Sequence, residues 1–204
     1  MRKRKDMGAL VRRYKELQKR MGLDREHDGE RPLDISKALT LRELAAFGRT
    51  FDGGTPEDVR DRALCGLTLY GASSLNGVVC IPPVLRWAIE ELVEVNGGRA
   101  SLDGPLFHSF KTGQKLTEDD MHALFRQRCK AAGISCEGRD MDTFVETGKM
   151  MGLEAVDEVP QDENTTLSGL LGKMGEIWEK RLDTALKVLF GFVDVEDAEK
   201  EGGA

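Results

Sequence analysis

The chain has 204 residues, a mass of 22.6 kDa and a formal net charge of -6, with 40% hydrophobic and 32% charged residues. Such a composition supports a real core, and the longest apolar runs are far too short to cross a bilayer, so no membrane association is expected. An isoelectric point near 5.3 argues against a protein whose whole surface coats nucleic acid.

The mean charge hides a gradient that begins at the first residues. Residues 1–25 hold ten Lys/Arg against three acids, a local +7, while residues 26–136 come to -3 and residues 137–204 to -10. The opening run "MRKRKDMGALVRRYKE" never develops the apolar stretch of a secretory signal, so none is expected. Residues 7–22 instead set Leu10, Tyr14, Leu17 and Met21 at spacings of 4, 3 and 4, one apolar stripe on a basic helix. The following "LDREHDGERPLD" is charged, glycine-containing and aperiodic. Residues 1–35 therefore read as a basic N-terminal helical arm and linker.

Residues 36–152 read as a helical core. Thr40 and Glu43 are spaced as a capping box at the head of a helix carrying Leu41, Leu44, Ala45 and Phe47. Thr55 as N-cap, Pro56 at the first position and Asp58 at the third open a second helix, with Val59, Ala63, Leu64, Leu67 and Leu69 as its apolar residues. Residues 71–81 are irregular, and Val78, Val79, Cys80 and Ile81 suit a short strand or an extended buried connection. Pro82-Pro83 opens a third helix, whose Leu85, Ile89, Leu92 and Val93 face the core before Asn96-Gly97-Gly98 closes it. "DGPLFHSFKTGQ" reads as a brief extended segment with a turn. Thr117 caps a fourth helix bearing Met121, Leu124, Phe125, Arg128 and Cys129, which ends at Ala132-Gly133. A shorter helix follows over roughly residues 139–151.

Residues 153–204 begin as an acidic loop around Pro160. A long helix comes next, in which Leu171, Met174, Trp178, Leu182, Ala185, Leu189 and Phe192 recur at spacings of 3 and 4. It should run about 25 residues from Thr166, before an acidic, frayed tail. The expected fold class is mainly α, a compact multi-helix core with a long C-terminal helix.

Few residues offer chemistry. "GLTLYGASSLNG" lacks both the lysine of a P-loop and the glycine spacing of a dinucleotide fingerprint, and no cofactor is expected. Cys65, Cys80, Cys129 and Cys136 show no C-x-x-C spacing and read as thiols in a reducing compartment. His27, His108 and His122 are scattered, so no metal site is expected. Asp119-Asp120 fits a helix N-terminus better than a metal. The cations are better candidates. Arg2, Lys3, Arg4, Lys5, Arg12, Arg13, Lys15, Lys19 and Arg20 form a basic head suited to backbone phosphates, or else a solubilising terminus. Lys111, Lys115, Arg126, Arg128 and Lys130 form a second, weaker cluster. Contacts from either would position a phosphate backbone without reading sequence.

Several ordered segments between Leu39 and Ile134 resemble the catalytic domain of tyrosine recombinases, the phage-integrase and Xer-type family. "LTLRELAAF" matches the helix start that opens that domain. "VRDRALCGLTLYGASSLN" puts Arg60, Asp61, Arg62, Ala63, Leu64, Tyr70 and Gly71 in register with its next helix and turn. "IPPVLRWAIEELVE" and "DGPLFHSFKTGQKLTEDDMHALFRQRCKAAGI" follow in the family's order, and the last is the most persuasive match. The resemblance covers about half the chain and implies a shortened version of that fold.

Residue by residue, the resemblance also implies a lost active site. The family's first catalytic arginine falls on Ser73, its hydrophobic predecessor on Ala72 and its following glutamate on Asn76. The stretch from Asn76 to Ile81 is too short for the hairpin that presents the catalytic lysine. Arg139 lies near the place of the His-x-x-Arg helix, without the histidine. Both tyrosines, Tyr14 and Tyr70, stand upstream of the nucleophile's place. Serine cannot supply arginine's fixed charged fork, so strand cleavage is expected to be absent and the chain is expected not to be an enzyme.

The expected function is non-catalytic DNA binding or DNA architecture on a tyrosine-recombinase-like scaffold, of the kind found in phages and mobile elements. DNA is the expected partner and the cytoplasm or nucleoid the expected location. The alternative is a protein–protein assembly or adaptor role, with homo-oligomers forming through Leu171, Met174, Trp178, Leu182, Ala185, Leu189 and Phe192. That same stripe would equally suit packing of the last helix onto its own chain.

Overall fold

The computed structural model describes residues 34–71, 82–98, 104–158 and 167–201. Among them the backbone forms seven α-helices and no sheet. These are α1 (Leu41–Gly48), α2 (Pro56–Gly71), α3 (Pro83–Val95), α4 (Glu118–Ala132), α5 (Asp142–Glu158), α6 (Leu167–Leu189) and α7 (Val195–Glu201). Short 3-10 turns at Ile35–Lys37 and Arg49–Phe51 flank α1. The segment before α4 turns back on itself through a single antiparallel bridge between His108 and Lys115, as its sequence suggests.

The helix starts follow the side-chain chemistry. At α1 the Glu43 amide donates to Thr40 Oγ1 at 3.2 Å, and Glu43 Oε2 accepts from the Thr40 amide at 2.9 Å. Thr117 and Asp120 make the same reciprocal pair at α4. Thr55 and Asp58 repeat it at α2, where the Thr55 hydroxyl also donates to Asp58 Oδ2 at 2.7 Å. Each such cap satisfies amides that the first turn leaves without partners and is worth about 1 kcal/mol.

Four phenylalanines hold the centre. Phe47, on α1, lies 5.7 Å from Phe125 on α4 and 5.2 Å from Phe144 on α5, and Phe51 closes the group at 5.6 Å. Around them α2 packs against α3, α5 and α6, while α6 crosses α1 and joins α5. Two glycines permit the closest approaches. A Cβ on Gly48 would sit 2.0 Å from the Leu189 carbonyl oxygen, and one on Gly66 would sit 2.5 Å from Phe190 Cζ. α1 and α6 therefore meet backbone to backbone, and the Phe190 ring fills the notch over α2.

Several boundaries differ from the sequence reading. Helix α5 runs on to Glu158, through residues expected as an acidic loop, so the expected division at 152 falls inside a helix. The last long helix is no appendage: Leu182, Ala185, Leu186 and Leu189 are fully buried in the same cluster as Phe47 and Phe125. The tail expected to fray forms α7, anchored by buried Ala198 and by Arg42 and Glu199 at 3.5 Å. On α3, Val84 and Ala88 are buried, while the expected core residues Ile89 and Val93 are half-buried.

Candidate functional site

The most heavily charged site inside the fold lies where α2 meets α4. Arg128 of α4 reaches Asp58 Oδ1 and Asp61 Oδ2 of α2, both at 2.7 Å, and also donates to the Thr50 carbonyl. Its guanidinium carbon stands 5.0 Å from the Phe51 ring centroid. Arg60 grips the other oxygen of Asp61 through Nε at 2.9 Å and Nη2 at 2.6 Å. Its Nη1 donates to the His108 carbonyl at 3.0 Å, tying the turn before α4 to α2.

Two guanidinium groups and two carboxylates thus neutralise one another. Burial alone would raise the Asp58 carboxyl, but the hydrogen bond from Thr55 and the Arg128 guanidinium outweigh it and hold its pKa below the ordinary value. Burial pulls the Arg128 pKa down, yet Asp61 and Asp58 reverse this and leave it raised. Each of these four side chains already has its partners in the fold, so the cluster is a structural clamp. Arg128, a candidate phosphate contact in the sequence, belongs to this clamp and does not project from the surface.

The other candidates divide between surface and undescribed chain. Lys111, Lys115, Arg126 and Lys130 are exposed. Arg126 and Lys130 stand one turn apart on the outer side of α4, while Lys111 and Lys115 flank the turn ahead of its acidic N-terminus. Arg2, Lys3, Arg4, Lys5, Arg12, Arg13, Lys15, Lys19 and Arg20 lie outside the described residues. So do Ala72, Ser73 and Asn76, on which the recombinase resemblance placed catalytic positions.

Tyr70 and Arg139, both named in the sequence comparison with recombinases, are used within the fold. Tyr70 is buried. Arg139 donates to Glu43 Oε1 at 2.7 Å and to the Ala38 carbonyl at 3.2 Å, holding the chain's entry into α1. Burial would raise the Glu43 carboxyl, but the Thr40 amide and Arg139 together lower it. His122 faces Glu118 at 3.6 Å on the same helix, and His108 Nδ1 lies 3.0 Å from the Pro105 carbonyl. Among the described residues no cluster of three or more His, Cys, Asp or Glu is arranged to hold a metal ion. Nor is any described helix long and apolar enough to cross a membrane.

The stripe proposed for self-association is used mainly inside the chain. Leu182, Ala185 and Leu189 are fully buried, and Trp178 donates its indole N–H to the Gly148 carbonyl at 3.1 Å. The Leu171 and Met174 side chains lie outside the described residues. Phe192 is different, because α6 stops at Leu189. Gly191, at φ 74°, forms a left-handed cap in which the Phe192 amide donates to the Lys187 carbonyl at 2.8 Å. That turn takes Phe192 off the helical stripe, and its ring is 55% exposed.

Phe192 meets Trp87 of α3 edge to face, with centroids 5.1 Å apart. The Arg62 guanidinium covers the Trp87 ring at 4.6 Å and is hydrogen-bonded to Glu91. Trp87 remains 39% exposed. Sequence reasoning passed over this tryptophan; the signal was an aromatic standing off the Leu85, Ile89 and Leu92 stripe.

No family model, curated protein or solved structure matches the chain. These comparisons identify no tyrosine-recombinase-like domain in the chain.

Proposed function

We propose that the chain is a non-catalytic DNA-binding or DNA-architecture protein on a shortened tyrosine-recombinase-like scaffold. The observation that carries this reading is the concentration of +7 within residues 1–25 beside a recombinase-like stretch that is close to balanced in charge. A basic segment of that kind releases counterions when it meets a phosphate backbone, and an acidic remainder does not prevent local contact. Lys111, Lys115, Arg126 and Lys130 supply further exposed cations on the core.

Strand transfer is excluded from the proposal on chemical grounds. It needs a nucleophile and several cationic groups converging on one phosphate. Tyr70 is buried, while Arg60, Arg128 and Arg139 are each engaged with carboxylates of the same chain. The reading is tested by mobility shift of a duplex at low salt, with the full chain and a variant lacking residues 1–25. Retarded duplex with the full chain and little with the variant supports it, and no retardation by either overturns it.

An assembly or adaptor role is the second reading. It is favoured by the exposed Trp87–Phe192 pair, since large aromatics are over-represented in protein interfaces. Self-association through the buried part of the α6 stripe is not part of it.

A further inference from the structure

Trp87 and Phe192 form an exposed aromatic pair set among carboxylates. On the outer side of α3, Glu90, Glu94 and Val95 are exposed within two turns of Trp87. Beyond Phe192 the chain presents exposed Asp194 and Glu196. The cations nearby are Arg86, which is exposed, Arg62, which is bound to Glu91, and Lys187, which is paired with Asp183. The surface is thus apolar at its centre and net acidic at its edge. It fits an amphipathic helix of opposite charge.

The chain contains such a segment. Residues 7–22 carry Arg12, Arg13, Lys15, Lys19 and Arg20 against the single acid Glu16, on a helix pattern whose apolar stripe is Leu10, Tyr14, Leu17 and Met21. Eleven residues, 23–33, separate it from the first described residue, Asp34. Extended, they reach about 36 Å. A domain of this size has a radius of gyration of about 15 Å, so that reach covers a large part of the surface around Asp34.

We infer that the Trp87–Phe192 surface is the docking site for residues 7–22 of the same chain. Leu10, Tyr14 and Leu17 cover the two rings, and the flanking Arg and Lys side chains face Glu90, Glu94, Asp194 and Glu196. The contact forms without DNA and does not depend on the DNA-binding reading. Where DNA is also bound by the basic head, the two compete for the same cations.

Hydrogen exchange on the full chain, in the absence of DNA, tests this. The wild type is compared with a variant carrying Glu90→Lys, Glu94→Lys and Phe192→Ser, all at exposed positions. Amides in residues 7–22 should exchange at least about tenfold more slowly in the wild type at low ionic strength, whatever the protein concentration. Raising the salt to about 0.5 M should remove the wild-type protection. Amides of α2, read in the same experiment, report whether each protein is folded. Three results overturn the inference: wild-type protection in 7–22 that is absent or survives about 0.5 M salt, where the Debye length is about 4 Å; equal protection in the folded triple variant; or protection that grows with concentration, which assigns the surface to a second copy. Should the triple variant be unfolded, the wild-type salt and concentration series decides alone.

Discussion

Arg128 and Asp61, 67 residues apart in sequence, lie 2.7 Å apart, and that contact locks α4 onto α2. Removing the cation leaves the buried Asp58 with no cationic partner and Asp61 with Arg60 alone. Arg128→Ala should cost about 3–5 kcal/mol in urea unfolding, because an uncompensated buried charge is worse than no ion pair. Arg126→Ala, two residues away and exposed, should change stability by no more than about 0.5 kcal/mol. Comparable losses at both positions would mean that Arg128 is not a clamp.

This cluster and the Arg139–Glu43 pair together set a pH dependence. The folded pKa values of Asp58 and Glu43 are lowered, so their stabilisation is present above the unfolded carboxylate range and is lost as pH falls through the folded values. The unfolded range is about pH 4. Asp58→Asn should therefore be clearly less stable than wild type at neutral pH, with the gap narrowing as the solution is acidified below that range. Thermal melts across the acid limb measure this, and a gap that stayed constant would show that Asp58 contributes through shape alone.

Close helix approach gives a third expectation. Gly48→Ala puts a methyl 2.0 Å from the Leu189 carbonyl oxygen, where backbone must move. Gly172→Ala, on the first half of α6, meets nothing within 4 Å and replaces a poor helix former by a good one. The first should lower the melting temperature and the second should raise it, by up to about 1 kcal/mol of stability. Circular dichroism melts of the two variants read opposite signs if α1 and α6 cross as described.

Phe47→Ala should rank among the most damaging single changes, at about 3–5 kcal/mol. Its ring contacts Phe51, Phe125 and Phe144 from three different elements, so no one neighbour can collapse into the space. Chemical denaturation compared with Phe192→Ala, at an exposed ring, checks the ranking. A larger loss at Phe192 would contradict it.

Helix starts were the most legible part of the sequence, because Thr40, Thr55 and Thr117 each cap through an acid three residues on, a purely local arrangement. Helix ends were less so. Nothing local stops α5 before Glu158, and the spacing of Phe192 continues the α6 stripe although Gly191 has already ended the helix. The charged clamp was hidden for a related reason. Asp58 looked complete as a capping residue and Arg128 as a surface cation, and only tertiary packing brings them within 2.7 Å. Trp87 was missed because an off-stripe aromatic has no meaning until its neighbour Phe192 arrives from about a hundred residues later in the chain.

In the proposed DNA-binding reading, phosphate contact comes from the basic head and not from the core as a whole. It is tested most directly by the slope of log binding constant against log salt for the full chain on duplex DNA, beside a full-length variant with Arg2, Lys3, Arg4, Lys5, Arg12, Arg13, Lys15, Lys19 and Arg20 changed to Gln. A slope of about -4 or steeper for the wild type, falling to about -1 or less in the variant, is the expected result. Equal slopes in the two proteins, or no binding by the wild type at about 50 mM salt, would contradict it.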